Sequence, residues 1–357
     1  MIYKYKQMKY VLAIALCVCF SCSDNSSVRK MNDVFSDDVK LMAEKMPVKE
    51  VLNPGNIVKL KDYLIVQNEY ISGEDCFYVY SLVKMKFCFS FGRLGQADGE
   101  FIAPRIVQNN TGNSLSIFDS ARDKIFVYDV SDTKPQLVNE RKMIDIQYPT
   151  QEISYVNDSI ILFQTIGPIG NKLYSYNLNT NFILDTLEFD SGLKDVMDSK
   201  YNPNFDFYNL TNVGRKFVVG FNYINEFKVG ELDDDYRFQV HEGAKLKNYG
   251  LAPTNPDKLY KNYFYYMFPS ATSELLFLPY LGQEATILQP FPINLKGRHF
   301  DFYIEVYDWN LAPVARLKFD NDLIRLCIDE ERHKIYTWNP LEDFDNVLVY
   351  SIENIGR

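Results

Sequence analysis

Short apolar strands recur in pairs along this chain. The second strands of the pairs have similar sequences. They are FYVYS, IFVYD, LYSYN, FKVGE, IEVYD and VLVYS, at residues 77–81, 125–129, 173–177, 227–231, 304–308 and 347–351. Tyr80, Tyr128 and Tyr176 follow one another at intervals of 48 residues. An interval of that size is typical of a propeller blade made of four strands. Six pairs therefore predict six blades.

The first strand of each pair is a more continuous apolar run. These strands begin at Tyr63, Leu115, Ile160, Phe217, Glu274 and Lys334. Unbroken apolar runs indicate a sheet that is covered on both faces, as a blade is by its two neighbours. We therefore predict an all-β fold, a six-bladed β-propeller of four-stranded antiparallel blades, in a single domain over residues 34–357.

The last blade lacks sequence for its outer strand. After residue 351 only IENIGR remains, which is too short for a fourth strand. We expect a strand from residues 28–52 to complete this blade, which would close the ring and cover an exposed sheet edge. The alternative is that residues 28–46 form a helix or a tether.

Residues 91–104 connect the first two blades. In this segment Gly92, Gly95 and Gly99 are expected to supply the positive φ angles of a tight crossover. The run F-G-x-x-G-x-x-x-G-E-F-x-x-P consists of Phe91, Gly92, Gly95, Gly99, Glu100, Phe101 and Pro104. It resembles the connector between blades in NHL-type and TolB-like six-bladed propellers, in particular the TolB-like propeller lipoproteins of Gram-negative envelopes. The pair Ala97-Asp98 departs from the Gly-Pro step of many members. The resemblance implies an architecture, and it implies no particular activity.

The N-terminus predicts export and a lipid anchor. Three lysines precede an apolar run at residues 10–20, which is too short to span a bilayer and is typical of a secretory signal. Ser21 and Cys22 suit lipoprotein processing, in which the Cys22 thiol is acylated after cleavage. We predict a signal peptide at 1–21, a tether at 22–33 and a membrane-anchored protein of the cell envelope, with the outer membrane favoured over the inner. An ordinary cleaved signal peptide is the alternative.

The charge of the chain restricts its partners. The net charge is −9, and removal of residues 1–21, which contain three lysines and no acidic residue, leaves −12. Such a surface repels nucleic acid and offers no basic face to anionic lipid. We expect a monomeric body that contacts the membrane only through its anchor, and whose partner is an envelope protein, a peptide or a glycan.

The cysteines and a recurring set of Asn and Asp residues predict little chemistry. Cys76 and Cys88 flank a hairpin and could be bonded, although buried reduced cysteines are the commoner outcome. Four polar residues recur near the ends of the first strands of these pairs, which are the second strands of their blades: Asn68, Asp119, Asn222 and Asn339. They could line a channel and bind calcium, but such residues more often cap their own turns. We expect neither a cofactor nor a metal.

The longest irregular segments predict a functional face. In a four-stranded meander, the links between blades and the turns between second and third strands emerge on the same face. Residues 191–205, 242–257 and 282–298 all belong to that face. The candidate ligand-binding residues on these segments are Tyr201, Asn202, Phe205, Tyr249, Phe291 and Arg298. Aromatic surface with polar tips suits the recognition of a sugar, a peptide or a protein. The alternative is that these loops only cover the channel.

These observations favour a binding or scaffolding module that performs no chemical step. The second interpretation is a calcium-dependent hydrolase or lyase, which would need converging carboxylates or histidines at the channel mouth. A third is a structural envelope protein that acts through the opposite face.

Overall fold

The protein is built from β-strands. The computed structural model describes residues 35, 38–69, 73–107, 114–131, 134–143, 150–167, 170–189, 206–241, 261–286, 303–321, 323, 325–339, 343–353 and 355. These residues form 26 strands in six sheets. Within the same ranges, no helix combines the length and the apolar character needed to cross a membrane.

The strands are numbered in chain order. Two N-terminal strands, β1 Asp38–Leu41 and β2 Glu44–Pro47, precede the blades. Blade one contains β3 Pro54–Leu60, β4 Tyr63–Asn68, β5 Asp75–Ser81 and β6 Lys86–Arg93. Blade two contains β7 Pro104–Val107, β8 Leu115–Asp119, β9 Lys124–Val130 and β10 Pro135–Lys142. Blade three contains β11 Thr150–Tyr155, β12 Ile160–Gly167, β13 Gly170–Asn177 and β14 Phe182–Glu188.

Blades four to six follow. Blade four contains β15 Tyr208–Val213, β16 Lys216–Phe221, β17 Phe227–Leu232 and β18 Phe238–His241. Blade five contains β19 Lys261–Tyr266, β20 Ser270–Ala271, β21 Leu275–Thr286, β22 Tyr303–Asp308 and β23 Pro313–Phe319. Blade six contains β24 Cys327–Asp329, β25 Lys334–Asn339 and β26 Asp343–Ser351.

Neighbouring blades pack face to face, which explains the apolar runs. All five residues of β8 are buried, whereas most of the outer strand β10 is exposed. One hydrophobic cluster joins Ile65 and Phe77 of blade one to Ile117 and Phe126 of blade two. Burial from both sides removes the polar alternation of an open sheet. The predicted six-bladed propeller of four-stranded antiparallel blades is confirmed.

The N-terminal segment closes the ring through two blades. Strand β2 pairs antiparallel with β26 and supplies the missing outer strand of blade six, as predicted; Met46 lies opposite Val347 and is fully buried. Strand β1, which the sequence did not predict, pairs parallel with β23 at the edge of blade five. Asp38 is held there by ion pairs with Arg316 and Lys318, the latter at 2.9 Å.

The connector between blades one and two behaves largely as expected. Gly92 and Gly99 have φ angles of 80° and 82°. The expectation was wrong for Gly95, whose φ is not positive; a Cβ there would instead collide with the Glu100 carboxylate, which accepts a hydrogen bond from the Ala97 amide at 2.9 Å. Phe101 is buried and makes edge contacts with a ring from each blade, Phe77 and Phe126.

The three described cysteines are free thiols. In the ladder between β5 and β6, Asp75 lies opposite Arg93 and Phe77 opposite Phe91, so that Cys76 lies at the far end of the ladder from Cys88. Burial raises the pKa of Cys76 to about 12, as expected for an inert thiol. The commoner outcome of reduced cysteines is therefore the one observed.

Candidate functional site

A channel of about 470 Å³ runs along the axis of the propeller. The innermost strand of every blade lines it, through β3, β7, β11, β15, β20 and β24. Its volume lies within the range of small-molecule sites, about 300 to 1,000 Å³. The channel is therefore the concave site in which chemistry from six separate parts of the chain can converge.

The two ends of the channel open on different faces. We call the face with the links between blades and the turns between second and third strands the connector face, and the opposite one the turn face. The long irregular segments are flanked by the ends of β14 and β15, of β18 and β19, and of β21 and β22. By the antiparallel pairing within each blade, all of these strand ends lie on the connector face.

The predicted ligand-binding residues themselves lie outside the described residues. This applies to Tyr201, Asn202, Phe205, Tyr249, Phe291 and Arg298, and also to Cys22. Their placement stays a prediction.

At the turn face, three of the four charged groups that line the channel form ion pairs, while the fourth, Glu330, accepts a hydrogen bond from a serine amide. Lys59 of β3 lies 3.3 Å from the buried Asp329 carboxylate of blade six, and it also pairs with Glu331. Burial alone would lower the pKa of Lys59, but these two carboxylates outweigh it and raise that pKa. Arg332 lies 3.1 Å from the other Asp329 oxygen. The two pairs of Lys59 join the first blade to the last.

Toward the connector face, the channel contains an arginine that is stacked on a strained phenylalanine. The Arg325 guanidinium carbon lies 4.1 Å from the centre of the Phe268 ring. Phe268 has a φ of 48°, in the left-handed region that bulky side chains rarely adopt. It lies in the break between β19 and β20. The Phe268 amide donates a hydrogen bond of 3.0 Å to Asn209 Oδ1, which holds this conformation.

Glu152 of β11 faces this arginine from blade three. Burial raises the pKa of Glu152, while the positive charges of Arg325 and Arg105 act against that rise. Neither the Glu152 carboxylate nor the Arg325 guanidinium is in an ion pair with another side chain of the described residues. The connector end of the channel is thus lined by one positive and one negative group whose charges interact.

Sequence reasoning missed Glu152, Phe268 and Arg325. The repeat was recognised from second and third strands, whereas these residues belong to the innermost strands or adjoin them. A charged residue within the innermost strand of a blade, such as Glu152 in β11, is the signal that could have found one of them.

Asp119 and Asn68 bond their own turns, as the sequence favoured, through the Ala121 amide and the Asp75 carbonyl oxygen, and both also bond the segment that precedes the first strand of their blade. Asp119 accepts hydrogen bonds from the amides of Ile102 and Ala103 at 2.9 and 3.0 Å. Asn68 accepts one from the Asn53 amide at 2.8 Å. Throughout the described part of the chain, no three His, Cys, Asp or Glu residues are grouped so that they could hold a metal ion.

Fold and channel together define the class of this protein: it is a six-bladed β-propeller. No protein-family model matches its sequence, and no curated protein sequence matches it.

Solved structures show the same architecture. A member of the DUF4221 family from Bacteroides vulgatus is similar with a TM-score of 0.58 and 13% identity, over 87% of this chain and 97% of that one. A candidate exported protein from Bacteroides fragilis is similar with a TM-score of 0.54 and 16% identity, over 89% and 96% of the two chains. A luciferin-regenerating enzyme has a TM-score of 0.52 at 8% identity, over 88% and 96%. At such identities the similarity shows the shared fold alone.

Proposed function

We propose that this protein is an exported, lipid-anchored binding module of the cell envelope, whose connector face holds a glycan, a peptide or a partner protein. The proposal rests on a difference in ion pairing between the two ends of the channel. At the turn face Lys59 pairs with two carboxylates across the closure of the ring, whereas Glu152 and Arg325 near the connector face are left for a ligand. The strand ends that flank the three long segments lie on that same face.

Rigid presentation is the mechanism of this function. Binding residues that are held on the ends of packed strands lose little conformational entropy when a ligand is bound. Arg325 is an example, because its guanidinium plane is fixed by the Phe268 ring and the backbone of Phe268 is held by Asn209. No chemical step is required. A carboxylate that faces two arginines also favours an anionic or zwitterionic ligand over the calcium ion of the alternative hydrolase or lyase.

The proposed cellular location rests on the N-terminal sequence. The signal at residues 1–21 and Cys22 support export with acylation, and the similar Bacteroides fragilis protein is itself a candidate for export. The connector motif supports a TolB-like or NHL-type propeller, anchored in the outer membrane in preference to the inner. The short polar tether at residues 22–33 would let the body stand free of the bilayer.

The anchor is tested by the variant Cys22→Ser. We expect this variant to leave the membrane fraction while the propeller body stays folded, because two or more acyl chains supply the stable attachment. Fractionation of cells and metabolic labelling with palmitate measure this. Cys88→Ser, which removes a body thiol outside the predicted processing site, is the matched control and should remain in the membrane fraction. Retention of Cys22→Ser in that fraction would refute the lipid anchor.

Binding without conversion is tested on the purified body, residues 23–357. It is incubated with fractionated glycans and peptides from the bacterial envelope, and thermal unfolding identifies fractions that raise Tm. We expect the stabilising ligand to be recovered chemically unchanged by mass spectrometry. Recovery of a cleaved product would instead support the hydrolase or lyase.

A further inference from the structure

The geometry points to a binding site for a small carboxylate-bearing molecule at the connector end of the channel, formed by Arg325 and Glu152. Arg325 would bind the ligand's carboxylate, and Glu152 would accept a hydrogen bond from a hydroxyl or ammonium group of the same ligand. This inference deepens the proposed function and rests on its assignment of the connector face.

Arg325 is arranged to bind a planar anion. Its guanidinium face lies against the Phe268 ring at 4.1 Å, which leaves the N–H edges for in-plane hydrogen bonds. That edge geometry matches the two oxygens of a carboxylate, and stacking fixes the plane before the ligand arrives. No carboxylate of the described residues forms an ion pair with Arg325.

The strain at Phe268 supports a functional role for this stack. A left-handed conformation of a non-glycine residue is strained and persists only where its surroundings enforce it. Here the enforcing contact is the hydrogen bond from the Phe268 amide to Asn209 Oδ1, while Asn209 Nδ2 donates to Asn222. The break in the innermost strand of blade five thus carries the ring into the channel lining, where it meets Arg325.

Glu152 supplies the second contact. It lines the channel from blade three, and its charge interacts with those of Arg325 and Arg105. Burial and the charges of two arginines account for the shifted pKa of Glu152, with no hydrogen bond from a described residue among its causes, so the carboxylate can accept from a donor on the ligand. A ligand carboxylate beside Arg325 and a ligand donor beside Glu152 would then leave both charged groups paired in a site of low dielectric.

The site's chemistry selects compact acids. A monosaccharide acid carries one carboxylate and several hydroxyl groups, and an α-amino acid carries a carboxylate and an ammonium group. Both are small enough for a channel of about 470 Å³. The variant Glu152→Gln distinguishes these two classes of ligand, because its neutral amide can still accept a hydrogen bond from a hydroxyl group but cannot balance an ammonium charge.

The test is calorimetric titration of the purified body, residues 23–357, with D-glucuronate, D-galacturonate, L-alanine and L-glutamate; D-glucose is the neutral control. We expect at least one acid to bind and glucose not to. Arg325→Gln should weaken that binding by about 10- to 100-fold, the loss expected for a charge-assisted pair. Arg93→Gln, at an exposed arginine of the same face, is the matched control and should bind as the unmodified body does. Glu152→Gln should weaken an amino acid strongly and a sugar acid only modestly.

A second measurement needs no variant. The body is treated with the arginine reagent phenylglyoxal with and without the acid that binds, and the modified arginines are mapped by mass spectrometry. We expect the acid to protect Arg325 and to leave Arg93 reactive. Absence of binding by all four acids, or binding that neither Arg325→Gln nor phenylglyoxal protection connects to Arg325, would overturn the inference. Capture of a larger partner by the connector face would still support the proposed function in that case.

Discussion

The variant Met46→Asp is expected to lose about 4 kcal/mol or more of unfolding free energy, because it places a charge in a fully buried contact. Met46 of β2 packs in the cluster between blades six and one, with Tyr336, Val347 and Leu64. This cluster closes the ring. A loss of this size is a large part of the whole stability of a typical domain, which is roughly 5 to 15 kcal/mol. Chemical denaturation of the purified body measures it.

The chain offers a matched control for this substitution. Met42 lies between β1 and β2 and is 75% exposed, so Met42→Asp should change the unfolding free energy by no more than about 0.5 kcal/mol. Deletion of residues 38–47 should destabilise at least as much as Met46→Asp, because it uncovers the edges of blades five and six. Equal stability of the Met46 and Met42 variants would contradict closure by the N-terminal strands.

Stability is expected to fall as the pH rises from about 4.5 to about 7, because of Glu305 on β22. This carboxyl is fully buried between Tyr266 and Tyr307, whose hydroxyls donate to Glu305 Oε2 at 3.1 and 3.0 Å. Burial raises its pKa from 4.5 to about 7, and these hydrogen bonds and Arg316 only partly oppose the rise. In that interval the folded state binds more protons than the unfolded state. The loss contributed by this group is about 3 kcal/mol.

The variant Glu305→Gln isolates this contribution. The amide stays neutral and still accepts from the tyrosines, so the stability of this variant should fall less between pH 4.5 and 7 than that of the unmodified body. Denaturation curves at several pH values measure the difference. Glu274→Gln, at an exposed glutamate of the same blade, should retain the pH dependence of the unmodified body. A Glu305→Gln variant with an unchanged pH profile would show that Glu305 does not titrate in this range.

Much of the fold could be predicted because blade packing produces local patterns of apolar residues in the sequence. Second and third strands are covered on both faces, so their apolar runs and the recurring tyrosines marked six blades. Strand β1 has no such pattern in its sequence. It is half exposed and is held by ion pairs between Asp38 and residues of β23 far away in the sequence, and no local pattern encodes such a contact.

The channel could not be predicted for a related reason. Glu152, Phe268 and Arg325 come from blade three, from the break in blade five and from the start of blade six, so only the closed ring brings them together. Strand parity did predict which face the flanking strand ends of the long segments share. Sequence reasoning therefore identified the face, and the structure adds the charged groups within it.

The central claim is that the connector face is the binding face, and site-specific photo-crosslinking in cells tests it most directly. A photoreactive amino acid is placed at Asp98 or Glu74, which are exposed on the connector face, and at Lys84 or Thr180, which are exposed on the turn face. We expect adducts with a peptide, glycan or protein from Asp98 and Glu74 and none from Lys84 and Thr180. Adducts that form only from Lys84 and Thr180 would contradict the account.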